Sequence, residues 1–452
     1  MSWQLTLLCL AMGGAVLLLR RRVGFNLSLA SVLLCFLLLF HGPAYLYYTR
    51  DYGPDTEFFD TITSAAKGAE VLPTLDLALA LCFLFVCLGI LFVDLATGTG
   101  AQAWRRALQR WDETPVRNDV ASTRRVLLAA GVLAVTLLLP FVFIDAQLPK
   151  VLDYFTADIS EIEKVALRRE GGGSGFYLYN LALGNVIPFI AFSLLALVLA
   201  RVRGIKGWAF GFLALVAIGK AATLSRAPLA VFVLQCATVW LLLRQATLSL
   251  RMVALLGTLA AVLFMVMTWV ANPKGDEILL ILEFLFYRVF MIVNESLLEY
   301  FAAIPHAIPH SWGTQTSWIA ALFQAEPKLP TFWLVGEVHR GVLGSTTTVM
   351  FIGDAWADFS WGGVVVVSFL AGAIARWIDV GLIVRRGKAV ATVAGLGLGH
   401  FGIFIAMSTS LQTAMVTGGL FLVVPLVLLT SPHRRLRAPQ EVSAHAQALP
   451  AA

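Results

Sequence analysis

The chain has 452 residues, of which 59% are hydrophobic and 13% are charged, and its mean hydropathy is +0.82. A soluble domain carries about 25% charged residues, so this composition excludes a soluble enzyme and indicates an all-α polytopic membrane protein. The net charge of +6 does not indicate nucleic-acid binding, because the basic residues are spread over many loops. The five cysteines lie in apolar segments without a metal-ligand or redox spacing, so they are predicted to be small core residues.

Apolar runs long enough to cross a bilayer recur along the chain, since a helix needs about 20 residues to span the hydrocarbon core. Most of the 33 Lys and Arg residues lie in alternate loops between these runs, beginning with Arg20–Arg22. The positive-inside rule places those loops in the cytoplasm, with the N-terminus outside and the C-terminus inside. The sequence predicts about eleven spans, near residues 3–19, 24–44, 73–95, 126–146, 178–200, 207–223, 228–243, 252–271, 361–383, 389–408 and 413–430.

This pattern divides the chain into four regions. Residues 1–270 form an N-terminal bundle of spans one to eight, and residues 361–430 carry the last three spans. Residues 271–360 form a large outer loop between them. Residues 431–452 form an Ala- and Pro-rich cytoplasmic tail that is predicted to be disordered.

Two loop segments are predicted to contact the bilayer surface. Residues 278–302 contain 16 Ile, Leu, Val, Phe and Met side chains, which contribute roughly −8 kcal/mol to insertion, while the four charged side chains oppose it by roughly +12 kcal/mol. This balance predicts an amphipathic helix that lies on the outer surface or dips part-way into the bilayer. On the other side, the basic amphipathic loop 98–125 is predicted to lie on the anionic headgroups of membrane lipids.

Two basic side chains mark the tight outer turn between the sixth and seventh spans. Arg226 lies in the turn Thr223–Pro228, and Lys220 precedes it inside the sixth span. A guanidinium can donate two parallel hydrogen bonds to phosphate oxygens, so Arg226 and Lys220 are candidates for binding phosphate or pyrophosphate. The alternative is that both are topological anchors whose charged ends reach the lipid headgroups.

The large outer loop concentrates charge, which is costly near a bilayer and therefore marks a candidate site. Arg288, Glu295 and Glu299 are separated by seven and four residues, a spacing that places them on one stripe of a helix. Arg288 is a candidate ligand of the same anion, and Glu295 is a candidate for positioning a sugar hydroxyl. The alternative is a structural, salt-bridged helix face.

Two further groups in this loop suit acid–base chemistry. A segment bounded by glycines holds Glu337, His339 and Arg340. His339 is a candidate general base, because imidazole titrates near neutral pH, and Glu337 and Arg340 are candidate substrate-binding residues. Asp354 and Asp358 lie four residues apart, on one face if the segment is helical, and are candidate general bases or sugar ligands. Alternatively, these two acids mark a helix N-terminus, where the helix dipole favours them.

The sequence contains no P-loop, dinucleotide fingerprint, metalloprotease motif or nucleophile elbow. Prolines interrupt any helix that would place His306 and His310 on one face, so neither a metal nor another cofactor is predicted. A catalytic loop on the outer side has no access to cytoplasmic nucleotide sugars. Any glycosyl donor must therefore arrive on a lipid.

Three short motifs carry a resemblance to a known family. The arrangement resembles the bacterial oligosaccharide repeat-unit polymerases, the Wzy-type O-antigen and exopolysaccharide polymerases. The first turn has Leu224-Ser225 before its arginine where the family has Gly-Thr. The motifs are Thr223–Pro228, Phe286–Phe290 followed by Asn294-Glu295, and Gly353–Gly363 leading to Gly372 and Trp377.

The resemblance implies a GT-C-like helical fold and a multi-pass glycosyltransferase of the bacterial inner membrane, with its active site in the large periplasmic loop. Such enzymes join oligosaccharide units carried on undecaprenyl pyrophosphate, which is the leaving group of an inverting transfer. Arg226 and Arg288 would hold the donor pyrophosphate, and His339, Glu295 or one of the two aspartates would deprotonate the acceptor. A chain-length regulator and a flippase of the same pathway are the implied protein partners.

Two other functions fit the same pattern. An O-antigen ligase-type transferase would use the same donor with a different acceptor. A flippase or transporter of lipid-linked glycans would use polar residues near the bilayer midplane and an internal repeat. Only Lys220 and His400 suit such a path, and no clear inverted repeat is present, so the polymerase is favoured.

Overall fold

The computed structural model describes residues 2–66, 70–118, 120–143, 181–221, 226–271, 278–315, 321, 329–341 and 347–431. Within these residues the regular structure is helical, and β-pairing is confined to two isolated bridges. The α-helices are α1 (Trp3–Leu18), α2 (Leu29–His41), α3 (Pro43–Tyr47), α4 (Glu57–Ser64), α5 (Val71–Thr97), α6 (Ala101–Glu113), α7 (Val120–Phe143), α8 (Ile187–Leu199), α9 (Lys206–Ala221), α10 (Arg226–Arg244), α11 (Leu250–Ala271), α12 (Ile278–Phe286), α13 (Ile292–Ala303), α14 (Thr331–Arg340), α15 (Phe351–Asp379), α16 (Val390–Ala406), α17 (Leu411–Val416) and α18 (Leu420–Thr430).

Within the described residues, seven helical segments are long and apolar enough to cross a membrane, and they coincide with seven of the predicted spans. The other predicted spans correspond to α9, which has 16 residues, and to shorter apolar helices at Pro228–Arg244, Arg251–Leu263 and Val390–Ala406. The prediction of an all-α polytopic membrane protein is confirmed. The seven segments are Trp3–Val23, Leu29–Asp55, Val71–Thr97, Val120–Leu137, Ala182–Leu199, Phe351–Val384 and Leu411–Thr430.

Helices α5 and α15 form the most extensive contact of the bundle. Glycines allow their backbones to approach closely, because a Cβ on Gly89 would clash with the carbonyl oxygen of Phe369, and a Cβ on Gly372 would clash with that of Val86. On either side, α1 packs on α5, while α8, α10 and α18 pack around α16. The α5–α15 pair therefore forms the central axis of the bundle.

A buried ion pair fixes one end of this axis, here called the basic end. Arg376 on α15 is fully buried, and its Nε donates to the Asp94 carboxylate on α5 at 2.7 Å. Its guanidinium also stacks over the ring of Trp104, 4.0 Å from the ring centre. One turn further, Asp379 accepts hydrogen bonds from the backbone N–H groups of Leu29 and Ala30, which caps the start of α2. These contacts hold α2, α5 and α15 in register.

The basic loop after α5 is attached to the protein more firmly than the sequence predicts. The amphipathic helix is present as α6, but its tryptophans point into the bundle and are buried. The indole of Trp104 donates to the carbonyl of Val23 at 2.6 Å, and that of Trp111 donates to the carbonyl of Leu242 at 2.9 Å. The apolar face of α6 therefore packs on the protein rather than on lipid headgroups.

The large outer loop also folds into the bundle. Helices α12 and α13 are joined by a π-helical turn, Tyr287–Met291, and every residue from Asn294 to Ala303 is buried. Helix α13 packs on α2, α4, α5, α14 and α15. The prediction of a helix lying on the membrane surface does not describe α13, because neighbouring helices cover the polar face that was expected to meet water.

Candidate active site

Acidic and aromatic side chains meet at the end of the bundle opposite Arg376, here called the acidic end. Helix α2 begins beside Asp379 at the basic end and ends at His41. The Nδ1 of His41 lies 2.9 Å from the Asn294 amide oxygen on α13. The Asn294 amide also donates to the carbonyls of Phe40 and Phe290. This buried polar contact anchors α13 to α2 and sets the position of the charged residues that follow it.

Glu295 is the best-placed carboxylate at this end. Its side chain is buried, and the hydroxyl of Tyr287 donates to its Oε2 at 2.6 Å. Burial raises the pKa of the Glu295 carboxyl above its usual range and the nearby charge of Glu299 raises it further, while the Tyr287 hydrogen bond and Arg340 oppose this rise. Burial also raises the pKa of Tyr287, so its hydroxyl remains a donor. Such a carboxylate is suited to accept a proton.

Arg288 lies next to this site but on another face. Its side chain is exposed, and its guanidinium stands 5.3 Å from the ring centre of Phe284. The predicted stripe assumed about 3.6 residues per turn, whereas the π-helical turn Tyr287–Met291 adds a residue to the register. As a result Tyr287, rather than Arg288, lies over Glu295. The stripe holds for Glu295 and Glu299, and Arg288 presents its charge away from them.

Glu299 contacts both His339 and Arg340 of α14. Its side chain is fully buried, and its Oε1 accepts a hydrogen bond from Arg340 on α14 at 3.3 Å. The adjacent His339 is also buried, and its Nε2 donates to the Glu299 backbone carbonyl at 2.9 Å. Among the described residues the Nδ1 of His339 has no hydrogen-bond partner. Of the three α14 candidates, His339 and Arg340 therefore join Glu299, whereas Glu337 is exposed.

The two aspartates lie in the first turns of α15, as the spacing predicted. Asp354 accepts a hydrogen bond from the hydroxyl of Tyr300 on α13 at 3.3 Å, and Asp358 accepts one from the hydroxyl of Ser311. The helix is interrupted directly afterwards at Phe359 and Ser360, where Ser360 adopts φ 53° and ψ −141°. The carboxylates of Glu295 and Glu299 thus lie on α13, and those of Asp354 and Asp358 lie on α15. The hydrogen bond from Tyr300 to Asp354 joins the two helices.

The basic candidates of the sixth and seventh predicted spans lie elsewhere in the chain. Lys220 is buried near the C-terminus of α9, with its ammonium 5.8 Å from the ring centre of Phe232 and 6.0 Å from that of Phe401. Arg226 is the first residue of α10, and its side chain lies outside the described residues. The joint binding of one anion by Arg226 and Arg288 therefore stays a prediction.

Sequence reasoning missed the tyrosines of the acidic end. Tyr287 and Tyr300 each donate to a carboxylate, and Tyr45 donates to Asp76 at 2.7 Å, where Arg50 also pairs with that carboxylate. Aromatic residues in apolar segments carry no distinct sequence signal, because they fill cores as readily as they donate hydrogen bonds. Asp76 did have a signal, since it is an acid inside an apolar run.

The described residues contain no group of three or more His, Cys, Asp or Glu side chains placed to hold a metal ion, and the metal-free site stays a prediction. No family model matches the chain, and no curated protein or solved structure shows significant similarity to it. The functional assignment therefore depends on the resemblance carried by the three motifs and on the chemistry of the acidic end.

Proposed function

We propose that this protein is a lipid-pyrophosphate-dependent glycosyltransferase that polymerises oligosaccharide repeat units carried on undecaprenyl pyrophosphate. The observation that carries the proposal is the buried Glu295 carboxylate, which accepts a hydrogen bond from Tyr287. Tyr287 directly precedes the exposed Arg288. A proton acceptor and a cation thus lie on adjacent parts of one short helical segment. Transfer of a sugar from a pyrophosphate donor requires both groups.

The proposed reaction is a direct displacement. The acceptor hydroxyl oxygen forms a bond to the anomeric carbon of the donor sugar as the bond from that carbon to the pyrophosphate oxygen breaks. The hydroxyl proton passes to Glu295, and the pyrophosphate leaves with the bonding electron pair. Arg288, with Arg226, stabilises the negative charge that grows on the leaving group. One displacement inverts the anomeric configuration.

Glu295 is assigned as the base ahead of the other candidates because of their contacts. His339 uses one ring nitrogen to donate to a backbone carbonyl, and its other nitrogen is buried. Asp354 accepts hydrogen bonds from the Tyr300 hydroxyl and from the backbone N–H of Ser410, and Asp358 accepts one from Ser311, which suits these two carboxylates to holding sugar hydroxyls. Glu295 has a single hydroxyl donor among the described residues and one oxygen left to accept a proton.

We also propose a membrane placement for this activity. The chain would cross the bacterial inner membrane about eleven times as a GT-C-like bundle, with the N-terminus and acidic end in the periplasm and the C-terminus in the cytoplasm. The concentration of arginines at the basic end supports this orientation. A chain-length regulator and a flippase that delivers the lipid-linked unit would act beside it.

The proposal is tested by the glycan profile of a deletion strain complemented with wild type, Glu295→Gln or Arg288→Ala. Arg203→Ala is the matched control, since Arg203 is exposed in the turn before α9. Loss of polymer is expected for the Glu295 and Arg288 variants, with single repeats accumulating on lipid at the periplasmic side and membrane levels unchanged. The control variant should keep normal polymer.

Other outcomes identify the competing functions. Full-length polymer that stays on its lipid carrier, without transfer to a final acceptor, indicates an O-antigen ligase. Single repeats held on the cytoplasmic side of the membrane indicate a flippase. Normal polymer length in both site variants contradicts the assignment of Glu295 and Arg288.

A further inference from the structure

A cavity lies at the basic end, far from the acidic site. It has a volume of about 240 Å³ and is formed by the C-terminal end of α5, the π-helical turn after α15, the start of α16 and the C-terminal part of α18. Three arginines line it: Arg117, Arg385 and Arg386. The proposed glycosyl transfer uses none of these residues.

The arginines are held together by the backbone. The N–H of Arg117 donates to the carbonyl of Lys388 at 2.9 Å, and the Arg117 carbonyl accepts from the N–H of Val390 at 3.4 Å. This pairing fixes the loop after α6 against the loop that carries Arg385 and Arg386. None of the three guanidiniums forms an ion pair or a side-chain hydrogen bond with a residue that the structure describes.

Placing these cations side by side is electrostatically unfavourable unless an anion lies between them. Partial burial, and then the positive charge of Arg117, lower the pKa of the Arg386 guanidinium. An anion in the cavity would remove this repulsion. Guanidinium groups bind phosphate oxygens through paired, charge-assisted hydrogen bonds, so a phosphate group is the anion that this geometry fits best.

Thr392 adds a buried hydroxyl to the residues that line this cavity. Thr392 lines the cavity and is 1% exposed, yet its Oγ1 has no hydrogen-bond partner among the described residues. A buried hydroxyl without a partner destabilises a fold by about 1–3 kcal/mol. A ligand oxygen that accepts from Thr392 would remove this penalty.

The rest of the cavity wall is apolar and reaches the outer surface of the bundle. Trp377 is 55% exposed and Leu428 is 39% exposed, and Val424 also lines the wall. These side chains belong to α15 and α18, which are candidate membrane-spanning segments. The cavity therefore joins a cationic lining to an apolar surface on candidate membrane-spanning helices.

We propose that this cavity binds the phosphate headgroup of an anionic membrane phospholipid, with its acyl chains lying along Trp377 and Leu428. The phosphate is held by Arg385, Arg386 and Arg117 and accepts a hydrogen bond from Thr392. A soluble phosphate ester would satisfy the arginines equally well, but it would leave the apolar wall without a partner. The continuity of the two surfaces favours the lipid.

The test is native mass spectrometry of the purified full-length protein with phosphatidylglycerol, phosphatidylcholine or glycerol phosphate. Phosphatidylglycerol should bind, and Arg386→Gln should weaken its binding about tenfold or more through loss of charge-assisted hydrogen bonds. Thr392→Val removes only the hydroxyl at nearly constant volume and should weaken binding less. Arg203→Ala should bind as wild type does, and thermal unfolding checks that each variant is folded.

Two results would overturn the proposal. Equal retention of phosphatidylglycerol and phosphatidylcholine, unchanged by Arg386→Gln, would show that the cavity does not recognise an anionic headgroup. Glycerol phosphate binding as tightly as the lipid would assign the site to a soluble phosphate ester. Both results are independent of glycosyl transfer, because neither measurement requires an active enzyme.

Discussion

Replacing Tyr287 by phenylalanine should move the protonation of Glu295 to higher pH. The Tyr287 hydroxyl donates to Oε2 of Glu295 at 2.6 Å and lowers a pKa that burial raises. A hydrogen bond to a charged group contributes about 1.5–3 kcal/mol, and about 1.4 kcal/mol corresponds to a tenfold change in an equilibrium. The midpoint of the acidic limb of the pH–activity profile should therefore move up by about one to two pH units, because Glu295 accepts a proton only when ionised.

Replacing Glu299 by glutamine should move the same limb in the opposite direction. The negative charge of Glu299 raises the pKa of Glu295, while Arg340 lowers it. The substitution removes the first influence and frees Arg340 from its contact with Glu299. Both changes stabilise the ionised form of Glu295, so activity should persist to lower pH. The two variants form a matched pair with opposite predicted signs.

The direction in which folding stability changes with pH can be checked independently of activity. A carboxyl whose pKa is raised in the folded state binds its proton more tightly there than in the unfolded chain. Its contribution to stability is fully present below the unfolded pKa and is lost as the pH rises through the folded pKa. Tyr287→Phe should extend this stabilised range to higher pH, and Glu299→Gln should shorten it.

The assay that reads Glu295 directly is infrared difference spectroscopy of its carboxyl band across pH, with Glu295→Gln as the reference. It needs no substrate, so the result does not depend on the proposed reaction. The reasoning is refuted if both variants shift the titration in the same direction. It is also refuted if Glu295 titrates in the wild type at the usual pH of an exposed glutamate.

Two predictions concern the bundle itself. Arg376→Ala leaves the buried Asp94 carboxylate with only Arg22, at 3.8 Å, and should destabilise the fold by about 3 kcal/mol, measured by thermal unfolding in detergent. Exposed Arg203→Ala is the control, and equal stability of the two variants would contradict the role of the pair. Gly89→Ala should cost about 1–3 kcal/mol through overpacking of α5 against α15, whereas Gly131→Ala should be neutral because nothing lies within 4 Å of its added Cβ.

The sequence predicted the features that depend on local pattern. Apolar runs located the helices, and the spacing of Asp354 and Asp358 correctly placed them in one helix. The spacing of Glu295 and Glu299 likewise placed them on one face of a helix, and the structure shows that this face is buried. Each prediction uses only residues that are close in the chain, where helical periodicity relates sequence to position.

The features that were missed depend on long-range contacts or on a change in helix period. The π-helical turn at Tyr287–Met291 shifts the register, and no residue type in that segment marks it. The Asp94–Arg376 pair joins positions 282 residues apart, so neither residue indicates its partner. In α6, Trp104 and Trp111 satisfy the pattern of a helix on lipid as well as that of a helix on protein, and only the fold separates the two.

The two ends of the bundle differ in how their charges are balanced. At the basic end Asp94 lies against Arg376 and within 3.8 Å of Arg22, so the buried acid is compensated within the fold. At the acidic end Arg50 pairs with Asp76, whereas among the ion pairs of the described residues only Arg340 reaches the group formed by Glu295, Glu299, Asp354 and Asp358. An anionic pyrophosphate would be repelled there, whereas sugar hydroxyls would donate to those oxygens. The proposed active site is therefore divided, with the acceptor sugar on the carboxylates and the donor pyrophosphate on the face of Arg288.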